Sequence, residues 1–267
     1  DYGRHVRRSA TLVSVNLSKR DLRMNRRPDI GAVADPGAFM AALSGKAGGD
    51  GRRPDWLETL RDRDRSREQE IDQKAAQGAP GINPLALFRT LDGLLNDDSI
   101  LVADGGDFVA TASYTLKPRG PLSWMDPGVF GTLGVGAGFA LGAQLARPGS
   151  EVWAIYGDGA FGFSLVEFDT FVRHGIPVIA VIGNDAGWTQ IAREQVKILE
   201  DDVATVLAPT DYHLAARGLG AAGLLLDSME NAEEVFLEAR AIAAQGKPVL
   251  INALIGTTDF REGSISM

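Results

Sequence analysis

Two glycine-flanked carboxylates are the residues best placed to do chemistry. Gly157-Asp158-Gly159 follows an apolar run, Val152 to Tyr156, and Gly183-Asn184-Asp185 follows a second, Val178 to Ile182. Each run is short enough for a buried strand. Between them Leu165, Phe168 and Val172 share one face of a helical pattern, with Glu167, Asp169 and Arg173 interleaved. Gly175 and Pro177 stop that helix. Residues 151–189 therefore read as strand–helix–strand with a parallel, right-handed crossover. In an open parallel sheet the ligand sits beyond the carboxyl ends of the strands, so Asp158 and Asp185 should converge there. Two carboxylates with neighbouring backbone carbonyls suit Mg²⁺, which keeps waters and shares the oxygens of a bound phosphate. Gly159 and Ala160 lead into a helix N-terminus, whose unpaired N–H groups favour an anion. The local chemistry points to a diphosphate held through Mg²⁺. The plain alternative makes both aspartates loop or capping residues, as a lone Gly-Asp-Gly would be.

Composition narrows the classes. A chain of 267 residues with 45% hydrophobic content is long enough for one large domain, or for one domain and part of another. A net charge of −8 argues against nucleic acid or an anionic membrane as the main partner. Without cysteine there is no disulfide framework, thiol nucleophile or Cys–metal site, which fits a reducing, cytoplasmic setting. No apolar run approaches the length of a membrane span. The chain starts Asp-Tyr-Gly, without Met, and reads as a fragment; a signal or anchor ahead of it stays open.

The elements that must position the carboxylates follow in order. After a basic, solvated cluster at Arg4 to Arg8, Ala10 to Asn16 alternates as a strand. Asp21 to Arg27 reads as a polar turn, Ile30 to Ala34 as a short strand and Pro36 to Leu43 as a helix. Residues 1–46 resemble the C-terminal piece of the middle α/β domain of acetolactate-synthase-like enzymes. Residues 47–82 form a linker, glycine-rich at first, then a charged helix from Trp56 to Lys74 whose mixed signs suit i, i+4 pairs in solvent. The main domain, 83–257, opens with Asn83 as N-cap and Pro84 at the first helical position. Ser99 to Ala103 is a strand ending in Asp104-Gly105-Gly106-Asp107. Gly131 to Gly138 runs into a helix ending near Arg147. It is not a dinucleotide fingerprint, because Gly142 comes one residue too late and Trp124 to Gly128 does not read as a strand. After Asp185 come a short helix, Trp188 to Val196, and another starting at Pro209 to His213. His174 is placed at a helix end, and His213 either reaches the substrate or packs. A strand, Gly223 to Leu226, precedes a helix from Asn231 to Gln245, with Asn231 and Glu234 forming a variant capping box. Pro248 to Ile255 is the last strand. The tail, 258–267, could serve as a lid and carries no signal of its own.

Gly157-Asp158-Gly159, a stretch of this length, and then Asn184-Asp185 resemble the signature of the thiamine-diphosphate-dependent enzymes, G-D-G followed by N-N. The resemblance implies an α/β fold, a doubly wound parallel sheet, with thiamine diphosphate and Mg²⁺ as cofactors. It implies Asp158, Asp185 and the backbone carbonyl of Gly187 as metal ligands. Asp185 departs from the pattern, keeping an oxygen ligand but adding a charge where the second Asn is usual. Gly131-Thr132-Leu133-Gly134 resembles a second feature of the family. There the backbone contacts the aminopyrimidine, and the bulky residue, Leu133 here, bends the cofactor so that its 4′-amino group nears the reactive carbon. The alternative for Leu133 is an ordinary core leucine. The loop after the strand at 99–103 lies near the diphosphate in this family, and capping of the next helix is the equal alternative for Asp104 and Asp107. The implied cofactor-binding set is Gly105, Gly106, Asp107, Gly131, Thr132, Leu133, Gly157, Asp158, Gly159, Ala160, Asp185, Gly187, Trp188 and Thr189.

The stretches Val102 to Phe108, Phe130 to Ala140, Val181 to Trp188 and Thr258 to Arg261 resemble the acetolactate-synthase-like branch, with its 2-hydroxyacyl-CoA lyases. This implies cleavage of a 2-hydroxyacyl-CoA to formyl-CoA and an aldehyde one carbon shorter. Acetolactate synthase, acting on 2-oxoacids, is the alternative; its T-Q-W reads Thr189-Gln190-Ile191 here. A non-catalytic binding protein on the same fold is the alternative from another class. The family's activating glutamate lies on a separate N-terminal domain outside this sequence. The chain alone is therefore expected to be inactive, with the whole site forming between subunits of a homodimer or homotetramer. Whether FAD is kept stays open.

Overall fold

Runs of β-branched and aliphatic residues with no polar alternation can only be stable with both faces covered, and the main sheet of this chain is built from such runs. The computed structural model describes residues 6–24, 26–47 and 53–261. Arg4 of the basic cluster, Asn25 of the polar turn, Gly48 to Gly51 of the linker and residues 262–267 of the tail lie outside them. The chain separates into two compact units, Asp1–Arg63 and Asp64–Met267.

In the first unit β1 (Val13–Asn16) and β2 (Ile30–Val33) pair in parallel. A 3-10 turn, Asp21–Arg23, lies between them. Helix α1 (Pro36–Lys46) starts with Pro36 and is capped by Asp35, whose carboxylate accepts the Ala38 N–H at 2.7 Å. Val13, Ile30 and Val33 are exposed on this small sheet.

Helix α2 (Pro54–Ala75) spans the division between the units. Its second half is not the solvated spacer expected from its charges. Ile71 is buried with Leu85 and Phe260, and Arg89 holds Glu68 and Asp72, each at 2.9 Å. One apolar position in a charged helix is enough to seat it, because the flanking charges find partners.

The second unit continues with α3 (Pro84–Leu94), β3 (Ile100–Asp104), α4 (Asp107–Thr115), β4 (Trp124–Met125) and α5 (Gly136–Ala146). Next come β5 (Val152–Gly157), the single turn α6 (Asp158–Phe161), α7 (Glu167–His174), β6 (Ile179–Asn184) and α8 (Thr189–Leu199). Helix α9 (Tyr212–Gly218), β7 (Ala222–Leu226), α10 (Ala232–Ala243) and β8 (Val249–Leu254) complete it. The six strands are all parallel, in the order β4-β3-β5-β6-β8-β7. Alternate residues feed two cores. Trp153 and Ile155 of β5 pack under α3, α4 and α10, while Val152, Ala154 and Tyr156 pack under α5, α7 and α9. This is the expected doubly wound α/β sheet.

Two local expectations change. Trp124–Met125 does form a strand, pairing with Leu101 and Val102 at the sheet edge; the neighbouring strand imposes the pairing, and Pro127 ends it. Asn231 makes no capping bond to α10. A 3-10 turn, Met229–Asn231, intervenes, and Ser228 caps that turn instead by accepting the Glu230 N–H. Asn83 caps α3 as expected, accepting the Leu85 N–H at 2.9 Å.

The topology fixes where a ligand can go. From β3 the chain passes outward to β4, then returns across β3 to β5. Loops leaving β3 and β5 diverge at this reversal, the crevice where open α/β sheets bind ligands.

Candidate functional site

The loops after β3, β5 and β6 enclose one cavity of about 790 Å³, within the range of cofactor sites. Gly157 pairs with Gly183 in register, so Asp158 and the Asn184-Asp185 loop leave the sheet side by side. All of the cofactor-binding set expected from the sequence lines the cavity except Thr132, which is exposed beside it. Phe108, Tyr114 and Trp124 add apolar wall, and Arg261 adds a cation. None of these was assigned to the site from sequence, because Trp124 carried no strand signal and the place of Arg261 depends on the path of the chain after β8.

Asp158 is the first residue of α6 and is 2% exposed. Its Oδ1 accepts the Gly159 N–H at 2.7 Å, and its Oδ2 accepts the Gly187 N–H at 3.2 Å. The Gly159 N–H, expected to face an anion, is thus occupied by the neighbouring carboxylate. Asp185 accepts the Thr189 hydroxyl at 2.5 Å. Burial, and then the negative charge of Asp185, push the Asp158 carboxyl up to about 6. Burial also raises Asp185.

Asn184 is turned away from the cavity. Its amide donates to the Thr210 carbonyl at 3.0 Å and to Asn252 Oδ1 at 3.1 Å, and its Oδ1 accepts the Ala186 N–H at 3.3 Å. It shapes the turn from which Asp185 and Gly187 project; Ala186 there takes the left-handed φ of 54°. His213 is buried behind this network, with Nδ1 3.4 Å from Asn252 Nδ2. That is the packing role, since His213 does not line the cavity.

Asp107 opens α4, and its carboxylate accepts from Arg193 Nη2 at 2.6 Å, with Arg261 Nε 3.9 Å away. Burial still raises its pKa against the pull of both guanidiniums. Asp104 does not cap α4, the alternative weighed from sequence. Its side chain points to the opposite face of the sheet and accepts the N–H groups of Gly134 and Gly136. Leu133 is not in either core; it is half-buried in the cavity wall, lying against Gly105, where a Cβ would overlap it. Glycine is required there for that approach and for φ of 52°.

Residues 104–253 match the family described as thiamine pyrophosphate enzyme, C-terminal TPP binding domain. This chain belongs to that family. The matched segment of this TPP-binding domain begins at Asp104 and contains every loop from β3 to β6 that lines the cavity. Among curated relatives, the chain is 52% identical to human 2-hydroxyacyl-CoA lyase 2 over its whole length and 43% of that protein. It is 44% identical to the protein of that name from Caenorhabditis elegans, again over its whole length and 43% of the relative. It is 36% identical to a probable acetolactate synthase of Mycobacterium bovis, over 84% of this chain and 40% of that one. The chain therefore spans less than half the length of the relatives it matches. A solved structure, the thiamine diphosphate-dependent 4-hydroxybenzoylformate decarboxylase of Rhodococcus jostii RHA1, has the same fold. Its TM-score is 0.73 at 22% identity, over 94% of this chain and 45% of that one. Among the described residues no helix is long and apolar enough to cross a membrane.

Proposed function

We propose that this chain is the thiamine-diphosphate- and Mg²⁺-binding part of a carbon–carbon lyase that acts on 2-hydroxyacyl-CoA. The observation that carries the cofactor reading is the pair Asp158 and Asp185 in one glycine-walled cavity. Three carboxylates line it, the buried Asp158 and the half-buried Asp107 and Asp185; the two nearby guanidiniums, Arg193 and Arg261, both sit on Asp107. The other two raise each other's cost of ionisation, which a divalent cation would relieve. Among the described residues no three acidic, histidine or cysteine side chains gather as a metal cage. An ion at this pair needs further oxygens, and a diphosphate supplies them in the usual manner of Mg²⁺.

In this reading Asp158, Asp185 and the Gly187 carbonyl hold the metal. Glycines 105, 106, 157 and 159 border the diphosphate, with Gly105 and Gly159 admitting the Leu133 and Trp188 side chains, and Gly131 to Leu133 border the rings. Leu133, on its glycine seat, sets the bend of the cofactor. Thiamine diphosphate, when bound, supplies the carbanion chemistry. The apolar walls from Phe108, Tyr114, Trp124 and Trp188 exclude water and accept an acyl chain. The substrate class comes from the likeness to the 2-hydroxyacyl-CoA lyases, whose identity to this chain exceeds that of the acetolactate synthase. Ile191, in place of the tryptophan of the synthase pattern, also lines the cavity. Full-length protein with thiamine diphosphate and Mg²⁺ should convert a 2-hydroxyacyl-CoA to formyl-CoA and the aldehyde one carbon shorter. Acetolactate formation from pyruvate, with no carbon–carbon cleavage of the 2-hydroxyacyl-CoA, would overturn this in favour of the synthase.

A further inference from the structure

Leu133 needs something to hold it. Its loop, Gly131 to Val135, has glycines with left-handed φ at 131 and 134, of 57° and 84°, so its own backbone sets no single path. Helix α5 follows at once, and its N-cap residue, Val135, offers no side-chain cap. The N–H groups at this helix start need a partner from elsewhere. Asp104 supplies it from the end of β3. Asp104 has the same strand parity as Ile100 and Val102, so it faces α5, whereas Leu101 and Ala103 face α4. Its Oδ1 accepts the Gly134 N–H at 3.1 Å and its Oδ2 the Gly136 N–H at 2.8 Å.

We propose that Asp104 is a positioning residue, a latch whose two hydrogen bonds hold the Leu133 loop against the cavity wall. The inference rests on the role of Leu133 proposed above. Three observations converge on it. Asp104 is completely buried, and no Lys or Arg among the described residues pairs with it, so these N–H groups are what stabilise its charge. A Cβ on Gly136 would lie 2.7 Å from the Asp104 Cβ and 2.6 Å from the Tyr156 ring, so the site is shaped for this approach. The residue next to the latch, Gly105, is the seat of Leu133. One strand end thus provides both the grip on the loop and the surface on which its bulky side chain rests.

The test uses full-length protein carrying Asp104→Asn, alone and with Leu133→Ala. Gly138→Ala is the control, because Gly138 is exposed on α5 with open space where a Cβ would go. Asp104→Asn presents an NH₂ to one of two donors. Without cofactor, amide hydrogen exchange at Gly134 and Gly136 should quicken at least tenfold while the β5 and β6 amides stay unchanged. With thiamine diphosphate and Mg²⁺, kcat should fall at least tenfold with KM within threefold. The double variant should be no slower than Leu133→Ala alone, since both changes act through one element. Gly138→Ala should match the unaltered protein in both measurements. Asp104→Ser, smaller and free of overlap, is the second variant with the same expectation should the asparagine fail to fold. Unchanged exchange at Gly134 and Gly136 overturns the latch, and additive losses of kcat overturn its link to Leu133. If the unaltered protein has no thiamine-diphosphate-dependent turnover, the functional reading fails, and the exchange comparison still decides for or against the latch.

Discussion

Asp158 and Asp185 are costly neighbours. Neither forms an ion pair among the described residues, and both are pushed toward the neutral form, chiefly by burial. In metal-free protein Asp158 titrates at about 6, beside Asp185 and under the N–H groups of Gly159 and Gly187, with Arg193 acting on Asp185. Below that pH a proton occupies the carboxylate and must leave before a metal binds. Mg²⁺ affinity should therefore fall as pH drops through 6 and be about tenfold weaker at pH 5 than at pH 7. Titration calorimetry at the two pH values reads this, and equal affinities would mean that Asp158 is not a ligand. Asp185→Asn should keep metal-dependent cofactor binding, because an amide oxygen still coordinates, whereas Asp185→Leu should abolish it. Asn184→Leu is a different kind of change. It strips partners from Asn252 and the Ala186 N–H, so a loss of about 1–3 kcal/mol in stability is expected, seen as a lower denaturant midpoint. If Asn184→Leu abolished metal binding in a protein of unaltered stability, the ligand assignment would move to Asn184.

At the scale of elements, the site is a set of strand ends held at fixed offsets by parallel register. Gly157 stands opposite Gly183, and the Phe108 ring of α4 lies on Gly183, where a Cβ would overlap it. Gly183→Ala should overpack this contact and cost about 1–3 kcal/mol, measurable as a lowered Tm. The Leu133 loop responds differently. Because Leu133 is half-buried in the cavity wall, Leu133→Ala should lower turnover far more than thiamine diphosphate affinity. Its stability cost should fall below the about 2–5 kcal/mol of a core leucine. Normal turnover per folded enzyme with a depressed Tm would refute the propping role. The strands and the carboxylates at their ends were legible in the sequence, since a fully apolar run bounded by glycine has few other readings. What was not legible depends on partners far along the chain. Asp104 looks like a local cap until strand parity turns it toward α5. Trp124–Met125 becomes a strand only because β3 is already there. The turn at Met229–Asn231 displaces the cap that spacing alone assigns to Asn231.

For the molecule as a whole, the chain is a sheet-based unit with a closed core on both faces, and a separate small unit with exposed strand residues. The parallel strand–helix–strand crossover was legible from alternating patterns, and the doubly wound class from the resemblance to the thiamine-diphosphate-dependent enzymes. The seating of α2 through Ile71 was not, because one isoleucine among charges gives no periodic signal. Nor was Arg261, whose place in the cavity wall follows from the path of the chain after β8. In the cavity these elements build, thiamine diphosphate is proposed to reach the protein partly through a divalent ion held by Asp158 and Asp185. The most direct measurement is calorimetric titration of full-length protein with thiamine diphosphate, once with Mg²⁺ and once with chelator. Binding with Mg²⁺ and at least a hundredfold loss without it is the expected result, and equal affinity in both would contradict the account.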